Sequence, residues 1–433
     1  MEEIYLDNSA TTKPSEASLQ KMREALCICY GNPGSVHRAG IEAHRLLEEA
    51  RRQVAASLGL RRPADGQICF CSGGTEANNQ AAFGAVYAKN RPEKNGSRGK
   101  ILITDGEHPS IENTAARLEL DGFTVLRIPT RGGVLDLDYV EQAADDSVIF
   151  AALMLVNNET GALYPVKEAT NILRRKSPGV VVHCDAVQAY MRVPFTPASL
   201  GVDTLSVSAH KIYAPQGVGA LYISREMIRG KRILPLLFGG GQEEGMRSGT
   251  ENVPAIAAFG AAALEGMKEA EMRTEKLRRL RSILVEKLSP LVQINVPETR
   301  VDAIVNITLP DIKSEVMLRA LSAEGICVSA GSACSARSKK VSRTLLAFGL
   351  SEREADCSLR ISLSHMNTEE ELSFFADVLE RELHLSLIHI CGQWQKNARY
   401  PAHPVRDLRW SLQIPAGFCH QTEHEYLRLS YPV

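Results

Sequence analysis

The sequence predicts an α/β protein with a mainly parallel, helix-covered sheet, followed by a smaller α+β domain. Three observations carry that expectation. Apolar strand-like runs alternate with amphipathic helix-like segments through the first half of the chain. A helical period then takes over at residues 255–288. A second group of strand-like runs follows it.

In chain order, residues 100–104, 124–128, 148–156 and 180–183 read as buried strands. Residues 111–120 and 167–175 read as the amphipathic crossovers between them. Leu264, Met267, Leu277, Leu280, Leu284 and Leu288 share one side of the 255–288 period, which reads as one long helix joining the two domains. Strands of the smaller domain are expected at 303–309, 326–328 and 359–363.

Composition bounds the function. The 433 residues suffice for two domains and a large core, and the formal net charge of -1 excludes a general affinity for nucleic acid or anionic membrane. The longest apolar run, 148–156, suits a strand and is too short to span a bilayer. The start, Met1-Glu2-Glu3-Ile4, lacks a signal peptide's basic and apolar regions. Ten scattered cysteines point to reduced thiols and a cytoplasmic location rather than a disulfide framework. Cys27-x-Cys29 and Cys69-x-Cys71 lack zinc-site spacing, so no metal site is expected.

The chemistry-bearing residues fall at strand ends. Lys211 closes Ser208-Ala209-His210-Lys211 after an apolar run, where its amine can condense with an aldehyde such as that of pyridoxal phosphate (PLP); an ordinary surface lysine is the alternative. Cys71-Ser72-Gly73-Gly74-Thr75 lies between a strand-like run and a helical one. Gly74 would let the backbone approach an anion at a helix start, and Thr75 would add a hydroxyl. Asp185 ends another strand and can face a ligand crevice, as partner for a protonated pyridine nitrogen or as a helix N-cap; Gln188 follows it, a donor for the ring's phenolic oxygen. His108, after Glu107, can stack on a cofactor or move protons, and Asn158 can hydrogen-bond a ring oxygen. Cys334, in Gly331-Ser332-Ala333-Cys334-Ser335-Ala336, sits among small polar residues with Arg337, Lys339 and Lys340 close by. It reads as an exposed thiolate or an incidental surface thiol.

Taken together with Asn32-Pro33-Gly34-Ser35-Val36-His37, Arg247-Ser248-Gly249-Thr250 and Arg360-Ile361-Ser362, these motifs occur in the order seen in cysteine desulfurases. The chain resembles these class V aminotransferase-like PLP enzymes from about Tyr5 to His384. The resemblance implies fold type I, with a seven-stranded, mainly parallel sheet in the large domain. It implies an N-terminal segment (1–14) packed on the small domain, a large PLP-binding domain (15–260) and a small domain (261–384) with the cysteine loop. Lys211 would carry PLP as a Schiff base. Thr75, Ser208 and His210, with Thr250 from a second subunit, would bind the phosphate. Asp185 would pair with the pyridine nitrogen, Asn158 and Gln188 would contact the phenolic oxygen, and His108 would stack on the ring. Arg360 would clamp the substrate carboxylate, with Asn32 a further substrate contact, and Cys334 would be the nucleophile.

The implied reaction takes L-cysteine to L-alanine with sulfur held on Cys334 as a persulfide. The sulfur would pass to an acceptor protein, an iron–sulfur scaffold or a tRNA-thiolation carrier, with transient iron–sulfur contact at Cys334, and the enzyme would be a homodimer. A selenocysteine lyase or other class V enzyme is the alternative within the family. An inactive sulfur-relay scaffold is the alternative outside it.

The chain departs from the family pattern in places. Lys340-Val341-Ser342 stands where many relatives have Pro-Ser, which is expected to loosen the loop's return, and Gly34 stands where serine is common. Ser364-His365-Met366 replaces a Gly-Arg pairing. The final helix is expected to break off near His384. Residues 385–433 hold both tryptophans and four prolines, and Leu385-Ser386-Leu387-Ile388-His389-Ile390 matches the translation of a sequencing-adapter end. That segment is read as a non-native or disordered tail, against a partner-docking extension in which Cys391 and Cys419 bind metal.

Overall fold

The computed structural model describes residues 3–88, 98–331 and 341–397. Met1–Leu383 form one compact unit, and a second begins at His384. The chain opens with β1 (Ile4–Tyr5), α1 (Glu16–Cys27) and α2 (Arg38–Ser57). Strands and helices then alternate: β2 (Gln67–Cys71), α3 (Gly74–Val86), β3 (Lys100–Thr104), α4 (Pro109–Leu120), β4 (Thr124–Ile128), α5 (Leu137–Ala143), β5 (Val148–Met154) and α6 (Val166–Lys176). After β6 (Val181–Asp185) come α7 (Pro197–Leu200), β7 (Thr204–Ser208), β8 (Gly219–Ile223) and α8 (Arg225–Arg229). Two long helices, α9 (Val253–Lys268) and α10 (Ala270–Leu288), lead to β9 (Gln293–Asn295), β10 (Ile304–Thr308), α11 (Ser314–Ala323) and β11 (Ile326–Cys327). The described chain ends with α12 (Arg343–Phe348), α13 (Glu352–Asp356), β12 (Ser358–Ser362) and α14 (Glu369–Asn397).

The large sheet has seven strands in the order β2-β8-β7-β6-β5-β3-β4. Only β8 runs against its neighbours; β7-β6-β5-β3-β4 pair in parallel. Strands such as β6 and β7 are buried at every position, as expected where helices cover both faces. A three-stranded antiparallel sheet, β12-β10-β9, forms separately.

Several expectations need correction. The 255–288 period is two helices, broken at Glu269, whose carboxylate pairs with Arg273. The apolar period runs through the break, but the environment does not: α9 is alanine-rich and mostly buried, whereas α10 keeps one apolar stripe among charges. The strand expected at 326–328 joins neither main sheet; β11 is two residues long and pairs in parallel with β1, register Ile4 to Ile326. β9 was not anticipated. The run at 148–156 stops as a strand at Met154, because Val156 turns back to bridge Leu163. Helix α14 passes His384 and continues to Asn397, in keeping with the lack of proline or glycine between Glu369 and Ile390.

Helices α1, α2 and α9 pack together. Gly260 on α9 lies directly against Ala50 on α2: a Cβ there would come 2.7 Å from Ala50 Cα. Gly260→Ala should therefore lower stability by about 1–3 kcal/mol through overpacking, seen as a fall in Tm. An unchanged Tm would show that this contact does not constrain the helix pair.

Candidate active site

Because β2, β3, β5, β6 and β7 share one direction, their carboxyl ends lie on one edge of the sheet, where ligands of open α/β sheets bind. A cavity of about 170 Å³ opens there. It is lined by Ser9, Ala10, Gly74, Thr75, Asn78, His108, Ser110, Met154, Asn158, Asp185, Val187, Gln188, Ser208, His210, Lys211 and Arg360. Ten residues singled out from the sequence thus meet in one place: Gly74, Thr75, His108, Asn158, Asp185, Gln188, Ser208, His210, Lys211 and Arg360. Thr250 does not line this cavity; it lines a second cleft with Ser72, Glu243 and Arg247. Asn32 also lies elsewhere, exposed, with Oδ1 accepting from the Gly34 N–H at 2.9 Å. Cys334 lies outside the described residues.

Helix α3 supplies the anion-facing wall. Gly73 precedes it with φ of 155°, a conformation suited to glycine, and no side chain caps the helix. A Cβ on Gly74 would sit 2.8 Å from Val187 Cγ2, so glycine is also required for close packing. Thr75 presents its hydroxyl-bearing side chain in the same turn.

Asp185 ends β6 and is 4% exposed. Its Oδ1 accepts from the Val187 N–H at 3.0 Å, so it closes a local turn rather than capping an α-helix. Its Oδ2 accepts from Asn78 Nδ2 at 2.7 Å. Asn78 lies one helical turn after Thr75, and its Nδ2 also reaches Ser110 Oγ at 2.8 Å. His183 Nε2 lies 3.0 Å from Asn78 Oδ1, and His183 Nδ1 lies 2.9 Å from Thr204 Oγ1. Burial pushes the His183 imidazole down to about 3, so it stays neutral and its Nε2–H donates to Asn78. The relay turns the Asn78 amide so that N–H, not oxygen, faces Asp185.

The lysine approaches from β7. Lys211 Nζ donates to Ser9 O and, at 2.7 Å, to Ala10 O. Gln188 Nε2 donates to the same Ser9 carbonyl at 2.9 Å, and Gln188 Oε1 accepts from Arg192. His210 pairs through Nδ1 with Thr11 Oγ1 at 3.2 Å; burial, reinforced by Lys211, pushes it down to about 4. His108 caps α4, with Nδ1 accepting from the Ser110 N–H at 3.1 Å. Burial lowers its pKa; Asp185 opposes that shift and Lys211 adds to it. Arg360 on β12 is 1% exposed. Its Nη2 pairs with Asp7 Oδ1 at 2.7 Å and Nη1 donates to Asn158 O at 3.0 Å, while Nε has no hydrogen-bond partner among the described residues.

The sequence reading missed Ser9, Ala10, Ser110 and the His183–Asn78 relay. Only Asn78 carried a usable signal, its spacing of three from Thr75, which puts both on one helix face. The carbonyls of Ser9 and Ala10 reach Lys211 through tertiary packing alone.

His183 makes stability pH-dependent. Its folded value of about 3 lies below the ordinary value, so its contribution is complete above pH 6.5 and is lost as pH falls toward 3. Between pH 7 and pH 5 that loss should be about 2 kcal/mol. Chemical unfolding of wild type and His183→Gln at both pH values should show a shallower loss in the variant; equal losses would contradict a neutral His183.

Comparison with known proteins agrees with this architecture. The family model described as aminotransferase class-V matches residues 4–375. A cysteine desulfurase of Trichormus azollae is 38% identical over 388 residues, spanning 88% of this chain and 92% of the relative. A solved NifS-like protein superposes with a TM-score of 0.81 at 35% identity, covering 88% of this chain and all of that one. The solved structure of SspA in complex with cysteine has a TM-score of 0.71 at 29% identity, covering 84% and 100%. The chain belongs to the class-V aminotransferase family.

Proposed function

We propose that this chain is a PLP-dependent cysteine desulfurase, which moves the sulfur of L-cysteine onto Cys334 as a persulfide and releases L-alanine. One observation carries the reading: a lysine amine, a buried carboxylate, a helix start with no side-chain cap and a buried arginine whose Nε has no partner among the described residues converge on one cavity. The relative named cysteine desulfurase and the solved structure with cysteine support the choice of substrate.

The donor set suits PLP group by group. Lys211 would hold the aldehyde carbon, and the free N–H groups at the start of α3, with Thr75, Ser208 and His210, would hold the phosphate. Asp185 would hold the pyridine nitrogen, Asn158 and Gln188 the phenolic oxygen, and His108 the ring face. When bound, the cofactor supplies an electron sink for charge developing at the substrate Cα.

The remaining steps belong to the chain's own residues. Arg360 binds the substrate carboxylate, its fork held by Asp7 and Asn158 O. Lys211 moves the proton at Cα, with the Ser9 and Ala10 carbonyls holding its ammonium form. His183 and Asn78 keep Asp185 fixed throughout. The Cys334 thiolate forms the S–S bond as the substrate's Cβ–S bond breaks, and the electron pair left on Cβ takes a proton, giving alanine.

Thr250, in its separate cleft, completes the phosphate set of a second copy, which makes the functional unit a homodimer. Cys27, Cys29, Cys69, Cys71, Cys184, Cys327 and Cys357 are free thiols, in keeping with a cytoplasmic enzyme, and no helix among the described residues is long and apolar enough to cross a membrane. The persulfide passes to an iron–sulfur scaffold or a tRNA-thiolation carrier.

Cys334→Ala should keep the absorbance of bound PLP and lose persulfide and sulfide production from L-cysteine; unchanged turnover would overturn the assignment. Arg360→Lys keeps the charge but not the fork, so KM for L-cysteine should rise about tenfold or more. An unaltered KM in steady-state kinetics would remove Arg360 from carboxylate binding. Parallel assays with L-cysteine and L-selenocysteine decide between the desulfurase and a selenocysteine lyase.

A further inference from the structure

Glu107 stands beside the site without a place in that scheme. It follows β3, is 6% exposed, and neighbours His108 in sequence. Its Oε1 accepts from Thr104 Oγ1 at 2.8 Å and from the Met154 N–H at 2.7 Å. Its Oε2 is fully buried with no hydrogen-bond partner among the described residues. Met154 lines the cavity and is the register partner of Asp185 across β5 and β6. One oxygen of Glu107 therefore ties together the ends of two strands that carry cavity residues.

The surroundings disfavour a negative charge. The titratable groups around Glu107 are Asp185 and Cys184 at the end of β6, Tyr164 after β5, and Asp105 and His108 on its own loop. Among these, Asp185 is the charge that acts most strongly on it, and it is of like sign. An ionised carboxylate buried beside a like charge, with one oxygen unsolvated, is far costlier than the neutral acid. Burial, then Asp185, raises the Glu107 pKa well above the ordinary carboxylate range.

We propose that Glu107 is a positioning residue held as a neutral carboxylic acid, which fixes the ends of β3 and β5 beneath the cleft and keeps a second negative charge away from Asp185. It acts through His108, Met154 and Asp185, and so rests on the PLP reading only for its consequence at the cofactor. Glutamine reproduces the neutral acid: its carbonyl accepts the same two donors, and its amide replaces the acid O–H. Alanine removes both.

The test uses the full-length protein with PLP as the probe. The infrared spectrum of wild type near neutral pH should contain the C=O stretch of a protonated carboxylic acid, and Glu107→Gln should lack it. Glu107→Gln should bind PLP within about twofold of wild type, whereas Glu107→Ala should bind about tenfold more weakly and shift the pH titration of the bound chromophore. Identical infrared spectra for wild type and Glu107→Gln would overturn the proposal. So would a loss of PLP affinity in Glu107→Gln as large as in Glu107→Ala. Should Glu107→Ala not fold, the comparison of wild type with Glu107→Gln decides alone. If no variant binds PLP, the functional reading fails while the infrared band still decides the state of Glu107.

Discussion

The constraint on which the rest depends is the shared direction of β2, β3, β5, β6 and β7. Parallel pairing needs crossover helices, which bury both faces of the sheet and leave its carboxyl edge as the place where polar side chains can gather. Each strand delivers its residues by ending: β3 gives His108, β5 gives Asn158, β6 gives Asp185, and β7 gives Ser208 and Lys211. The turn after β2 gives Gly74 and Thr75. No single segment holds the site, which is why its lining runs from Ser9 to Arg360.

That spread decides what the sequence can reveal. Every strand of the large sheet that ended in a chemistry-bearing residue was legible, because a buried parallel strand reads as a continuous apolar run and the polar residue that follows marks its end. Nine of the expected residues met in one cavity for that reason, and the tenth, Arg360, comes from within β12 of the smaller sheet. Local pattern fails where the determining contact is distant. The break at Glu269 leaves the helical period untouched, and only the change from buried α9 to half-exposed α10 reveals it. β11 exists because β1 lies alongside it, three hundred residues away in sequence. The loop whose loosening was expected lies outside the described residues; just after it, Ser342 caps α12 and donates to Glu159 Oε2 at 2.6 Å, and Arg343 pairs with Glu112 at 2.9 Å.

The site's electrostatics follow from burial acting on unlike groups. Burial makes His183, His210 and His108 easier to keep neutral, and it makes a carboxyl such as Glu107 harder to ionise. Neutral histidines can then serve as directional hydrogen-bonding parts, as His183 does in setting the Asn78 amide. The full charges that remain at the cleft are held by defined partners: Asp185 by Asn78 and the Val187 N–H, Lys211 by two carbonyls, and Arg360 by Asp7. A cleft arranged in this way is set in advance for a ligand carrying both a phosphate and a basic ring nitrogen.

The most direct test of the account is chemical mapping of the lysine. The protein, loaded with PLP, is treated with borohydride to make the lysine–cofactor link permanent, then digested and analysed by mass spectrometry. The account predicts a single phosphopyridoxyl group, on Lys211. A label on another lysine, or no label on protein that has been given PLP, would contradict it.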